Sequence, residues 1–143
     1  MDSAVPVIQL QPGSGILGLS FGAARYTVHQ FFGGPQFSER SPIGCDTDHW
    51  PGVAAYFGSD ERFQALELRS PCVFGLDGTM ISALDFDDAV AFLTARDQQM
   101  LTCSEATHFR RLCMTVCRSG PRSVDRVSFV LDGNDGGDWW SWG

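Results

Sequence analysis

The stretch "CDTDHWPG" sets Cys45, Asp46, Asp48 and His49 almost shoulder to shoulder, with Trp50 beside them. A thiolate, carboxylates and an imidazole are the donor types of a zinc site, and a Cys–His pair is the core of a nucleophilic one. Adjacent residues of one loop rarely surround an ion unaided, because the ligands must converge from several directions. The segment therefore reads first as a surface or partner-contact loop with Trp50 as its apolar anchor. The alternative is a small metal-dependent enzyme or sensor using Cys45, Asp48, His49 and also His108.

Other reactive groups have simpler readings. His29 has no acid or cysteine at helical spacing to orient it as a base or ligand, so it is expected to be solvated or locally hydrogen-bonded. Asp85, Asp87 and Asp88 suit the first turn of a helix, where a carboxylate caps N–H groups and meets the positive end of the dipole. In "RRLCMTVCR", strand-like alternation puts Cys113 and Cys117 on one face, too far apart for a bridge. Most of the set Arg110, Arg111, Arg118, Arg122 and Arg126 read as solvated strand positions that protect an edge and pair with nearby acids. No catalytic residue, metal or cofactor is assigned.

The segment "LDGNDGGDWWSWG" carries the strongest functional signal. It combines Asp132, Asp135 and Asp138 with Trp139, Trp140 and Trp142, and it contains no basic residue. Tryptophans left in water are unfavourable, so a cover is expected. Either they fold back to finish the core, or they form an acidic aromatic arm that docks in a basic cleft of a partner; plain disorder is the third reading.

The 143 residues carry a formal net charge of −7, and all ten basic residues are arginine. That balance argues against nucleic acid or an anionic membrane as direct partner and favours a basic protein. Five cysteines without framework spacing suit free thiols in a reducing compartment. With no secretory pattern at the start and an apolar run over 5–10 too short to span a bilayer, a cytoplasmic protein is expected.

The elements that must position these residues follow from period and punctuation. A first helix is expected over 21–32, capped by Ser20 and stopped by Gly33, Gly34 and Pro35, with Ala24, Val28, Phe31 and Phe32 as its buried stripe. The proline-rich connection that follows, through Gly52, reads as a surface loop. Strands are expected over 53–57 and 62–69, with one or two short ones in "CVFGLDGTMI". A second helix starts at Asp85. Strands in "QQMLTCS", "HFRRLCMTVCR" and "SVDRVSFVLDG" close a domain over 1–131, leaving the arm 132–143.

This order repeats itself. Ser20 matches Asp85 at an offset of 65, and Phe63, Leu66 and Leu68 match Val124, Val127 and Phe129 at an offset of 61. The expected fold is α+β: two helix-plus-three-strand halves whose strands form one mainly antiparallel sheet, with both helices packed on one face.

The pattern carried by Gly18, Ser20, Val28, Gly33, Pro35, Tyr56, Phe63 and Leu66 covers about half of the chain. It resembles that of the small bacterial immunity proteins of polymorphic toxin systems. More distantly, it is similar to the eukaryotic phagophore-assembly-factor family and to the β-lactamase-inhibitory-protein repeats. These families act by binding. The resemblance implies a cytoplasmic immunity protein that blocks one cognate basic toxin, of nuclease or similar activity, by occluding its active site. The expected contact residues are Asp132, Asp135, Asp138, Trp139, Trp140 and Trp142 of the arm, with Asp46, Asp48 and Trp50. An adaptor domain using the sheet as its interaction surface is the remaining reading.

Overall fold

A computed structural model describes residues 7–40, 45–103, 105–119 and 126–132. The strands are β1 (Ile8–Gln11), β2 (Gly15–Ile16), β3 (Leu19–Ser20), β4 (Phe37–Arg40), β5 (Asp46–Trp50), β6 (Val53–Phe57), β7 (Phe63–Arg69), β8 (Phe74–Gly75), β9 (Met100–Cys103), β10 (Ala106–Phe109), β11 (Met114–Ser119) and β12 (Arg126–Asp132). The helices are α1 (Arg25–Phe32) and α2 (Phe86–Thr94), and a 3-10 turn spans Ile81–Ala83. The class is α+β, as expected.

The main sheet has eight antiparallel strands in the order β4-β5-β6-β7-β12-β11-β10-β9. Each half is a helix followed by a four-strand meander, one strand more than the sequence suggested, and the halves meet where β7 pairs with β12. At that seam Leu66 faces Leu131 and Leu68 faces Phe129. The strand order is mirrored about the seam, the arrangement expected of a structural repeat. A small mixed sheet, β3-β2-β1-β8, completes the fold.

Alternation decides what each face carries. Val53, Ala55 and Phe57 of β6, Leu66 and Leu68 of β7, Phe129 and Leu131 of β12, and Met114 and Val116 of β11 are all buried. They form one cluster with Val28 of α1, Ala89 and Leu93 of α2, and Leu10, Ile16 and Leu19 of the small sheet. Both helices therefore lie on the same face, and one core serves both halves. Burying a residue such as Leu66 or Phe129 contributes roughly 1.5–3 kcal/mol each.

Four local expectations are corrected. Ser20 does not cap α1; it lies in β3, and the N-cap is Ala24, whose side chain makes no capping bond. The cause is residues 22–24, which are tied to the start of β7: Gly22 donates to the Phe63 carbonyl at 2.8 Å and Phe63 donates back to Ala23 at 2.9 Å. Caps Ala24 and Asp85 then stand 61 positions apart, the offset already seen in the strands. Of the expected stripe, Val28 is fully buried and Phe32 packs on the core, but Phe31 is exposed.

The proline-rich surface loop is instead largely the β4–β5 hairpin, with Phe37 opposite His49 and Arg40 opposite Asp46. "HFRRLCMTVCR" is two strands rather than one. Between them Asp97, buried, accepts hydrogen bonds from the backbone of Arg111 at 2.6 Å and Leu112 at 3.0 Å. Cys113 takes a positive φ of 52° there, so Cys113 and Cys117 do not share one strand. The second helix is as read: Asp85 accepts from the Asp88 N–H at 2.8 Å, and Asp87 and Asp88 occupy the first turn.

Candidate functional site: a saturated carboxylate under the first helix

The densest polar cluster among the described residues lies between α1 and the β4–β5 hairpin. Arg25 and His29 are one helical turn apart and so share a face of α1. Asp46 and Asp48 are two apart on β5 and share the face of the sheet that meets it. Two basic side chains thus stand over two acids.

Asp48 is fully buried and its carboxylate is filled. Oδ2 accepts from Arg25 Nε at 2.9 Å and from His29 Nε2 at 2.6 Å. Oδ1 accepts from Arg25 Nη2 at 2.5 Å and from Ser38 Oγ at 2.6 Å. Asp46 takes Arg25 Nη1 at 2.6 Å and Arg40 Nε at 3.2 Å. Aromatic rings wall the cluster: Arg25 lies over Phe57 at 5.0 Å, and His29 meets Trp50 edge-on at 6.0 Å. Trp50 Nε1 donates to the Gly33 carbonyl at 3.0 Å, which fixes the end of α1 to β5.

Burial alone would raise the Asp48 pKa, but hydrogen bonds from Arg25, Ser38 and His29 outweigh it and hold the carboxyl at about 2. Hydrogen bonds from Arg25 and then Arg40 lower Asp46 as well. The Arg25 guanidinium is raised, first by its bond to Asp48. Arg25, Asp46 and Asp48 are therefore charged in the folded protein at neutral pH.

An Asp–His pair is the device that orients a catalytic base. Here the Ser38 hydroxyl donates its hydrogen bond to Asp48 rather than to the imidazole, and Arg25 bonds both oxygens of that carboxylate. The arrangement clamps a helix to a sheet. The His29 side chain is 34% exposed, and its hydrogen bond is not the local one that the sequence suggested; its acid comes from β5, 19 positions away. The signal that could have revealed it is the match between an i, i+4 Arg/His pair on a helix and an i, i+2 Asp pair on a strand.

The residues singled out in the sequence are not brought together. Asp46, Asp48 and Trp50 face inward as buried strand positions, not as an exposed contact loop. His49 points to the opposite face, where it stacks on Phe37 at 4.3 Å and bonds Glu39 at 2.5 Å. Cys45 precedes β5 and is half-buried. His108 is five strands away, about 24 Å at ordinary strand spacing, and bonds Thr115 Oγ1 at 2.8 Å. Cys45, Asp48 and His49 thus do not converge, which corrects the metal or Cys–His alternative. Among the described residues no group of three or more His, Cys, Asp or Glu side chains could hold a metal ion.

Asp132 ends β12 and is buried rather than opening an arm. Asp135, Asp138, Trp139, Trp140 and Trp142 lie outside the described residues. Asp87, with its side chain 77% exposed, approaches Arg118 at 3.7 Å, and Arg118 itself turns inward over the Phe86 ring at 4.5 Å. Arg118 thus pairs with a nearby acid as expected, but it is not among the solvated positions of the arginine set. No helix among the described residues is long and apolar enough to cross a membrane. No protein-family model, curated protein or solved structure matches the chain.

Proposed function

We propose that this protein acts by binding, as an acidic cytoplasmic protein that neutralises a basic partner, and that its specific form is an immunity protein occluding a cognate toxin. The observation that carries this reading is the saturation of Asp48. Where acid, imidazole, guanidinium and hydroxyl meet, every Asp48 oxygen is consumed by donors of the same chain, so the cluster holds the fold instead of a substrate.

The carboxylates left at the surface support the same reading. Glu39, Glu61, Asp77 and Asp87 have side chains 61–77% exposed. Within a chain of net charge −7, such groups steer a basic protein toward the surface and speed its association.

The test is capture of partners from the native host at low and high salt, followed by association kinetics with the purified partner. A basic partner whose association rate falls steeply with ionic strength is expected. Recovery of no basic protein, or of one indifferent to salt, counts against the proposal. Substrate turnover by the purified chain that disappears on His29→Ala would overturn it.

A further inference from the structure

The face of the main sheet turned away from the helices is buried at its centre, although among the described residues no element packs on it. One row of paired residues crosses that face through β6, β7, β12, β11 and β10: Ala54, Glu67, Val130, Thr115 and His108. Each sits next to a residue of the helix-side core along its strand and so points the other way. Ala54, Val130, Thr115 and His108 are 0%, 7%, 4% and 3% exposed. At the outer ends of the same row Phe37 and Leu101 are each 55% exposed. An uncovered sheet face does not hide an imidazole and a valine to this degree, and Ala54 and Val130 are buried without belonging to the helix-side cluster. Both helices and the small sheet join that cluster on the other face, and the burial is that of a single chain. The cover therefore comes from residues of the same chain outside the described ones.

We infer that the segment 133–143, which carries Trp139, Trp140 and Trp142, docks across this row. Its starting point fits, because it leaves β12 at Asp132, a buried residue of the same face on a central strand. Its length fits as well. His108 and Ala54 each lie two strands from β12, about 10 Å, and a segment of this size can span up to about 36 Å when extended. Three indoles, burying about 150–250 Å² each, suffice for a row that crosses five strands. The floor of small side chains at Ala54 and Ala65 leaves room for flat rings, and the Glu67 carboxylate and Thr115 hydroxyl offer acceptors to an indole N–H, which only donates. The other stretches outside the described residues suit the place less well: 1–6 lead into β1 on the helix side, 41–44 serve the edge hairpin, and 120–125 contain no aromatic residue. The tryptophans then finish a second core instead of meeting a partner. The docking is independent of the reading of the basic partner, which draws on carboxylates elsewhere.

Acrylamide quenching of fluorescence from the full chain tests the inference, since three of its four tryptophans lie in the segment. Native emission is expected to be blue-shifted and quenched several-fold less than emission in urea. Native emission quenched for the most part as freely as in urea would overturn the docking. Ala54→Arg pushes a long charged side chain into the row and should raise native quenching toward the urea value while far-ultraviolet circular dichroism persists. A second variant reads the covered face instead of the cover. Burial, with Arg110 nearby, holds the His108 imidazole below its usual pKa. Trp139→Ser, Trp140→Ser and Trp142→Ser together should move its NMR titration upward in a chain that keeps its circular dichroism. A His108 titration unmoved by the triple substitution, or quenching unchanged in folded Ala54→Arg, would each overturn the inference.

Discussion

The two helices occupy equivalent places before equivalent meanders, yet they are seated by opposite chemistries. α2 has a capping aspartate, acids in its first turn and an apolar stripe through Ala89 and Leu93. α1 has no side-chain cap, no acid in its first turn and Val28 as its one buried residue. Its sequence includes Tyr, Thr, Val and Phe, which form helices poorly. What holds it is Arg25 and His29 on Asp48, with Trp50 at the far end. The same architecture thus tolerates either local helix signals with an apolar seat, or weak local signals with a charged clamp, provided every buried charge is matched.

The contrast predicts unequal responses to equivalent damage. Asp48→Ala leaves Arg25 partly buried without its main partner and should cost about 3–5 kcal/mol in urea unfolding. Replacing the pair by apolar residues of similar shape, Asp48→Leu with Arg25→Met, should recover most of that loss, because desolvation of the charges offsets much of their attraction. Leu93→Ala in α2 should cost about 2–5 kcal/mol through the cavity it opens, and no second substitution of the charged type should rescue it.

Acid should separate the helices without any mutation. The folded Asp48 pKa of about 2 lies below the unfolded value of about 3.9. Its contribution is therefore fully present above the unfolded pKa and is lost as pH falls from about 4 toward 2. Hydrogen exchange should show α1 opening before α2 over that window, and the difference should shrink in Asp48→Asn. Equal protection of the two helices at pH 3 would refute the contrast. Smaller effects complete the series. Asp85→Ala should cost about 1 kcal/mol, while Ala24→Asp, which gives α1 the cap it lacks, should stabilise by about 0.5–1 kcal/mol if its backbone keeps the extended cap conformation.

The same contrast explains what could be read in advance. α2 was legible because its signals are local: Asp85 and the Phe86, Ala89, Val90, Leu93 stripe lie within three turns. Strands β6 and β7 were legible because their inward positions are apolar. The β4–β5 hairpin was hidden because its inward positions are Ser38, Asp46 and Asp48, and a pattern of hydrophobicity treats such residues as outward. The break between β10 and β11 was hidden because the group that stabilises it, Asp97, comes from the end of α2. The polar cluster was invisible for the same kind of reason: its pairings span 6 to 23 positions, and no local rule joins them.

The central seam also governs how the molecule must be made. β12 follows every other described strand in sequence yet sits in the middle of the sheet, between β7 and β11. During synthesis the first meander and the first three strands of the second therefore wait with β7 and β11 bare until β12 emerges, and the pairings that unite the halves are among the most distant along the chain. Such long-range closure is slow and exposes hydrogen-bonding edges to neighbours on other ribosomes.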